Sequence, residues 1–137
     1  MNTRIVAYGF AGLALAGAVG WALVSSQGDD ASVIDLTSLT MPDLTQEQEG
    51  GRALFEANCA ACHGENAVGS DQGPPLVHRI YEPGHHGDVA FVLAAKQGVR
   101  AHHWPFGNMP VVDSVSDQDV LQITAYVRAL QRANGIN

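Results

Sequence analysis

Cys59, Cys62 and His63 stand together in the string Cys59-Ala60-Ala61-Cys62-His63, the part of this chain best equipped for chemistry. On a helix, residues three and four apart share a face, so two thiols and one imidazole project side by side. A CxxCH string is the attachment signature of a c-type haem. The thiols can reach two vinyl groups on the macrocycle edge while the imidazole lies beneath the iron. Two other uses of such a pair are poorly supplied here. A thioredoxin-like dithiol lacks its βαβ surroundings, and a zinc site lacks a second cysteine pair, because the sequence has 2 Cys in all.

Met109 is the next candidate. Met1 starts the chain and Met41 precedes the region in question, so Met109 is the one thioether within reach, in the proline-flanked loop Asn108-Met109-Pro110. A Met/His pair on haem iron is the arrangement that raises its potential in cytochromes c. The remaining histidines compete for that role: His78, the pair His85-His86 and the pair His102-His103. Any of them could replace Met109 or bind copper or zinc. The ordinary reading of an exposed pair on a Gly-rich loop is a solvated turn, and on that reading the pairs are dispensable for haem ligation. Arg79, Arg100 and Trp104 offer a cation or an indole N–H to haem propionates.

The elements that must position these groups read as helices. Thr45-Gln46-Glu47-Gln48 has the capping-box pattern, which predicts a helix from there to about Ala61 with Ala53, Leu54, Phe55 and Ala57 on its apolar face. A second helix is expected over residues 88–97, where Val89, Val92, Leu93 and Lys96 share helical spacing before Gly98. A third is expected from Ser116 as N-cap to Asn134-Gly135, burying Val120, Ile123, Val127 and Leu130. Between them, residues 64–87 and 98–115 are rich in Gly, Pro and His and poor in strand patterns. Loops that long in a compact domain need something to wrap around, and a large apolar cofactor meets the need.

Upstream, Ile5 to Val24 carry no charge and are mostly Gly, Ala, Leu and Val. About 20 apolar residues is the length of a transmembrane helix. A cleaved signal peptide, ending near Val24-Ser25-Ser26, competes, but its apolar core normally runs only ~7–15 residues. Either reading exports the remainder, since Arg4 flanks one side and Asp29-Asp30 the other. Gly12, Ala16 and Gly20 recur every fourth residue, a spacing that can admit a second membrane helix or arise by chance in a Gly/Ala-rich span. The expected organisation is an N-terminal anchor or signal peptide over 1–24, a linker over 25–44 and a haem domain over 45–137. Leu39 and its apolar neighbours Val33, Ile34 and Leu36 give part of the linker the means to dock on the domain or a partner. All fourteen carboxylates and six of the 7 basic side chains lie from Asp29 onward, so the exported part carries a net −8 and has no basic footprint for nucleic acid.

In this arrangement of motifs the sequence resembles the class I c-type cytochromes across about Thr45 to Gly135. Gly51 and Phe55 precede Cys59 as in the family's N-terminal helix. Gly73-Pro74-Pro75-Leu76 is similar to its Gly-Pro-x-Leu segment, Asn108-Met109-Pro110 to its methionine loop, and Ile123-Thr124-Ala125-Tyr126-Val127 to its C-terminal helix. The resemblance implies an all-α cytochrome c fold of three or more helices around one covalent haem c. It implies haem attachment by Cys59 and Cys62, axial ligation by His63 and Met109, a Pro74 carbonyl that orients His63, Leu76 packed on the ring, and Ile123 and Tyr126 crossing at Gly51 and Phe55. The function expected is single-electron transfer, without catalysis on a small-molecule substrate, between redox partner proteins such as membrane respiratory complexes. The site would be extracytoplasmic (periplasmic) and held to the membrane by the N-terminal helix. Two alternatives stay open: a haem subunit of a membrane oxidoreductase complex, and a gas-binding or peroxidase haem protein if Met109 is not a ligand.

Overall fold

The structure, a computed structural model, describes residues 38–137; the expected membrane segment and residues 25–37 lie outside them. Four α-helices organise the described part: α1 Gln46–Asn58, α2 Ala60–His63, α3 Asp88–Gln97 and α4 Asp117–Ala133, with 3₁₀ turns at Glu65–Ala67 and Arg79–Tyr81. No strand occurs among the described residues, and a one-residue antiparallel bridge joins Val99 to Met109. Among these residues no helix is long and apolar enough to cross a membrane. This mostly helical architecture fits the all-α fold that the resemblance implies.

Both long helices start where the sequence places their caps. Thr45 accepts the Gln48 N–H while the Gln48 side chain accepts the Thr45 N–H. Ser116 and Asp119 do the same for α4, and two orphan amides are satisfied at each end. α4 buries Val120, Ile123, Val127 and Leu130 as its periodicity requires. It packs on α1, and the crossing is tight: a Cβ added at Gly51 would stand 2.0 Å from the Gln122 carbonyl oxygen. One turn on, Phe55 and Tyr126 meet with ring centroids 5.8 Å apart, both fully buried. Burying an aromatic ring of that size contributes roughly 1.5–3 kcal/mol.

Two local expectations are corrected. α1 does not run through to Ala61, because Cys59 leaves helical geometry (φ −123°, ψ −34°) and a separate short α2 follows. Ala53 and Ala57 are exposed; the inner face of α1 is Gly51 and Phe55, both buried, with Leu54 packed half-buried against the core. α3 has the expected span; of its apolar residues Val92 packs against the core, whereas Val89 is 66% and Leu93 48% exposed. Leu93 faces the central cavity instead.

Two tertiary devices are not visible as sequence patterns. Arg128 on α4 is buried, and its guanidinium donates to the backbone carbonyls of Tyr81 and His86, to Gln131 and to the Asp88 carboxylate (2.8 Å). Gln131, also buried, donates to the Leu76 carbonyl at 2.8 Å. Together they tie the segment Leu76–Asp88 to α4. At the other end, Thr40 and Asn134 exchange two hydrogen bonds (2.9 and 3.0 Å), and Leu39 and Leu44 pack against the core. The described part of the expected linker therefore docks on the domain.

Candidate functional site

The kink at Cys59 is what places the three motif residues. Cys59 caps α1, and its carbonyl then accepts the amides of Cys62 (3.1 Å) and His63 (2.9 Å), which turns α2 off the α1 axis. After His63 the chain doubles back. Asn66 and Ala67 take left-handed φ values (53° and 61°), and Ser70 Oγ donates to the Cys62 carbonyl at 2.6 Å. This return brings Pro74 to the imidazole, with His63 Nδ1 2.9 Å from the Pro74 carbonyl oxygen. A carbonyl only accepts, so Nδ1 carries the proton and Nε2 keeps its lone pair. The hydrogen bond fixes tautomer and orientation and makes Nε2 a better donor to a metal. Burial lowers the His63 pKa below 6.5, and the Pro74 bond opposes that shift.

Cys59, Cys62, His63, Pro74, Leu76 and Met109 all line one cavity of about 430 Å³ between α2, α3, α4 and the two long loops. Its volume is within the usual range for a cofactor pocket. Leu76 is buried, held by its amide bond to the Ala67 carbonyl (2.8 Å). Met109 is positioned by the backbone: it exchanges two hydrogen bonds with Val99 (3.0 and 2.9 Å). Asn108 Oδ1 accepts the Ala101 N–H across the same loop at 2.9 Å. Gly98, with φ +71°, leaves room for the Met109 carbonyl, which a Cβ there would meet at 2.6 Å.

Burial, reinforced by neighbouring Cys62, pushes the Cys59 pKa up to about 11, whereas a reactive CxxC pair depends on a lowered value. The cysteines are not joined to each other.

Of the three expected propionate partners, the structure brings only Trp104 to the cavity. Arg79 and Arg100 are exposed and outside its lining. Trp104 Nε1 is buried with no hydrogen-bond acceptor of good geometry, although it lies near enough to the Tyr81 phenol to offset part of the rise that burial causes in the Tyr81 pKa. An indole N–H in that position asks for an acceptor. His78, edge-on to Trp104 with ring centroids 5.0 Å apart, is buried and caps the 3₁₀ turn by accepting the Ile80 amide (3.2 Å). The paired histidines, for which the sequence allowed solvated turns and, at His102-His103, a place along the crevice beside Trp104, converge at the cavity rim. His86, His102 and His103 line it, and His85 stands against His103.

A helical domain that closes a cofactor-sized cavity over a CxxCH segment, with its histidine backed by a proline carbonyl, is built for a covalently held macrocycle. The family model for cytochrome c matches residues 48–131, more than half of the chain, and the chain belongs to that family. No curated protein and no solved structure gives a significant match. Family membership makes this a haem-based electron-transfer protein with covalently bound haem c. The residues present fit that group: an available imidazole lone pair, two thiols on the same wall, and an indole N–H that lacks an acceptor.

Proposed function

We propose that the chain carries single electrons through one haem c, attached by Cys59 and Cys62 and ligated by His63 and Met109, on the extracytoplasmic (periplasmic) side of a membrane that residues 1–24 anchor it to. Bound haem supplies a one-electron ferrous/ferric couple. His63 donates through Nε2 while Pro74 holds its ring. Met109 offers a neutral thioether, which favours the reduced iron and raises the potential. Leu76 excludes water from one side of the cavity, and Trp104 directs its N–H toward a propionate. Were His63 and Met109 both to hold the iron, no coordination position would remain for a substrate, so the protein acts as a carrier and not as an enzyme. The net −8 of the exported part favours redox partner proteins with basic docking surfaces, among them membrane respiratory complexes.

The observation that carries this reading is the His63–Pro74 hydrogen bond in a cavity that Met109 also lines. The test is Met109→Ala in the holoprotein. It is expected to lower the reduction potential, to abolish the sulfur-to-iron charge-transfer band of the oxidised form, and to bind carbon monoxide when reduced. An unchanged spectrum and potential would assign the distal position to another residue. Acid-acetone extraction is expected to leave the colour on the polypeptide. An intact mass that includes Asn2 supports the anchor, whereas a chain starting near Gln27 replaces it with a cleaved signal peptide.

A further inference from the structure

The geometry points to a second metal site, for a divalent zinc- or copper-type ion, formed by His85, His86 and His103 at the rim of the haem cavity.

One ring nitrogen of each residue lies within 4.8 Å of the others. Nε2 of His85 and Nε2 of His103 stand 3.4 Å apart as a hydrogen-bonded pair, a contact that a bound ion would replace. With metal–nitrogen bonds of about 2.0–2.1 Å, two ligands of a tetrahedral ion stand roughly 3.4 Å apart, so this pair already has the spacing of a chelate. His86 Nδ1 is 2.6 Å from the Ile80 carbonyl and must donate to it, which leaves Nε2 with its lone pair and fixes the ring. That is the outer hydrogen bond that metal-binding imidazoles usually have. Imidazole donors select zinc, copper and their neighbours over the harder magnesium or calcium.

The site is assembled from two loops, each held independently. His85 and His86 donate their amides to the Glu82 carbonyl (3.0 and 2.8 Å), and Arg128 grips the His86 carbonyl from α4. His103 rides on the loop closed by the Val99–Met109 pair. Apolar packing does not explain the meeting, because His85 and His103 are exposed. Three protein ligands leave a fourth position open to solvent, as in sites that exchange a ligand. An ion here would staple the Met109 loop to the segment that Arg128 anchors.

The test is zinc binding to the full-length holoprotein, with zinc and iron quantified separately so that haem content and rim occupancy are read independently. The expected result is one zinc per chain, a rise in Tm on zinc addition, and a low-spin haem spectrum that does not change. Zinc-edge X-ray absorption should show three imidazoles. His85→Gln and His103→Gln should each weaken zinc affinity by more than the roughly 10–100-fold that losing an outer hydrogen-bond partner costs. His102→Gln should leave it within about threefold of wild type, since His102 donates Nδ1 to the Arg100 carbonyl (2.8 Å) and is not among the three converging residues. Both exposed-residue variants can be checked for folding by the haem spectrum. Absence of stoichiometric zinc, or zinc retained in the His85→Gln/His103→Gln double variant, overturns the proposal.

Discussion

The α1–α4 crossing and the two cavity loops solve the same problem, holding chain segments in fixed register, by opposite means. At the crossing, surface is removed: Gly51 lets backbone approach backbone, and Phe55, Tyr126, Val127 and Leu130 fill the space beside it. The loops instead use directed polar bonds, from His63 to the Pro74 carbonyl, in both directions between Val99 and Met109, and from Arg128 to two carbonyls. The first method gives stability with little tolerance for added volume. The second places individual donor atoms on a cavity wall, where close packing would leave no room for a cofactor. Substitutions should therefore divide into those that change stability and those that change the ligand field.

Gly51→Ala is the strongest way to test that division. Alanine is favoured over glycine in a helix by about 1 kcal/mol. Its methyl group would meet the Gln122 carbonyl at 2.0 Å, so the helices must separate and the net effect should be destabilising by about 3 kcal/mol or more. Chemical denaturation of the holoprotein measures it. A variant as stable as wild type would mean that the crossing is looser than its geometry implies.

Arg128→Met is next in size and acts where the two regions join. The methionine retains apolar bulk but removes the buried donor from the His86 carbonyl and from Gln131 Oε1, while the Tyr81 carbonyl keeps its bond from Gln131 Nε2 (3.1 Å), at a cost of about 1–3 kcal/mol. Because Asp88 is 60% exposed at its side chain, its ion pair with Arg128 adds little to that loss. Amide exchange should quicken between Leu76 and Asp88 before it does in α4. Uniform acceleration across α1 and α4 would place Arg128 in the packed region instead.

Gly98→Ala is the loop counterpart of Gly51→Ala. It forces a Cβ into φ +71° and against the Met109 carbonyl, a strain of about 1–2 kcal/mol. Its main effect should be on the iron: partial loss of the sulfur-to-iron band and a lower potential, with the α1–α4 crossing unchanged. A stability loss with an intact band would erase the distinction between the regions.

The same division decides what was legible in the sequence. Both caps, the burial of Val120, Ile123, Val127 and Leu130, and the span of α3 follow from local chemistry and periodicity, and the structure has them. The carbonyl of Pro74 meets His63 as the resemblance implied, and Met109 lines the same cavity. What local pattern could not supply was the break at Cys59, the exposed faces of α1 and α3, the buried Arg128–Gln131 pair and the convergence of four histidines. The break at Cys59 is local but has no glycine or proline to mark it, and the others depend on partners distant in sequence. The available signal was a charge interrupting an apolar run, Val127-Arg128-Ala129-Leu130, near the middle of a helix.

The smallest expected effect concerns the α4 cap and depends on pH. Asp119 accepts the Ser116 hydroxyl at 2.7 Å and the Ser116 amide at 2.8 Å, and these two bonds hold its pKa below the ordinary 3.8. A carboxylate with a folded-state pKa below its unfolded value stabilises the fold fully above the unfolded value. That contribution fades as pH falls from 3.8 through the lowered one. Asp119→Ala should therefore lower Tm slightly at neutral pH, and the gap from wild type should close in acid, where both lack the charged cap. Because Asp119 is solvent-screened and only one helix end is involved, the effect should be well below that of the other three substitutions. Other carboxylates titrate over the same range, so the difference between the two melting curves is the measurement. A gap that widens as the pH drops below about 4 would reverse the sign of the argument and remove Asp119 from the cap.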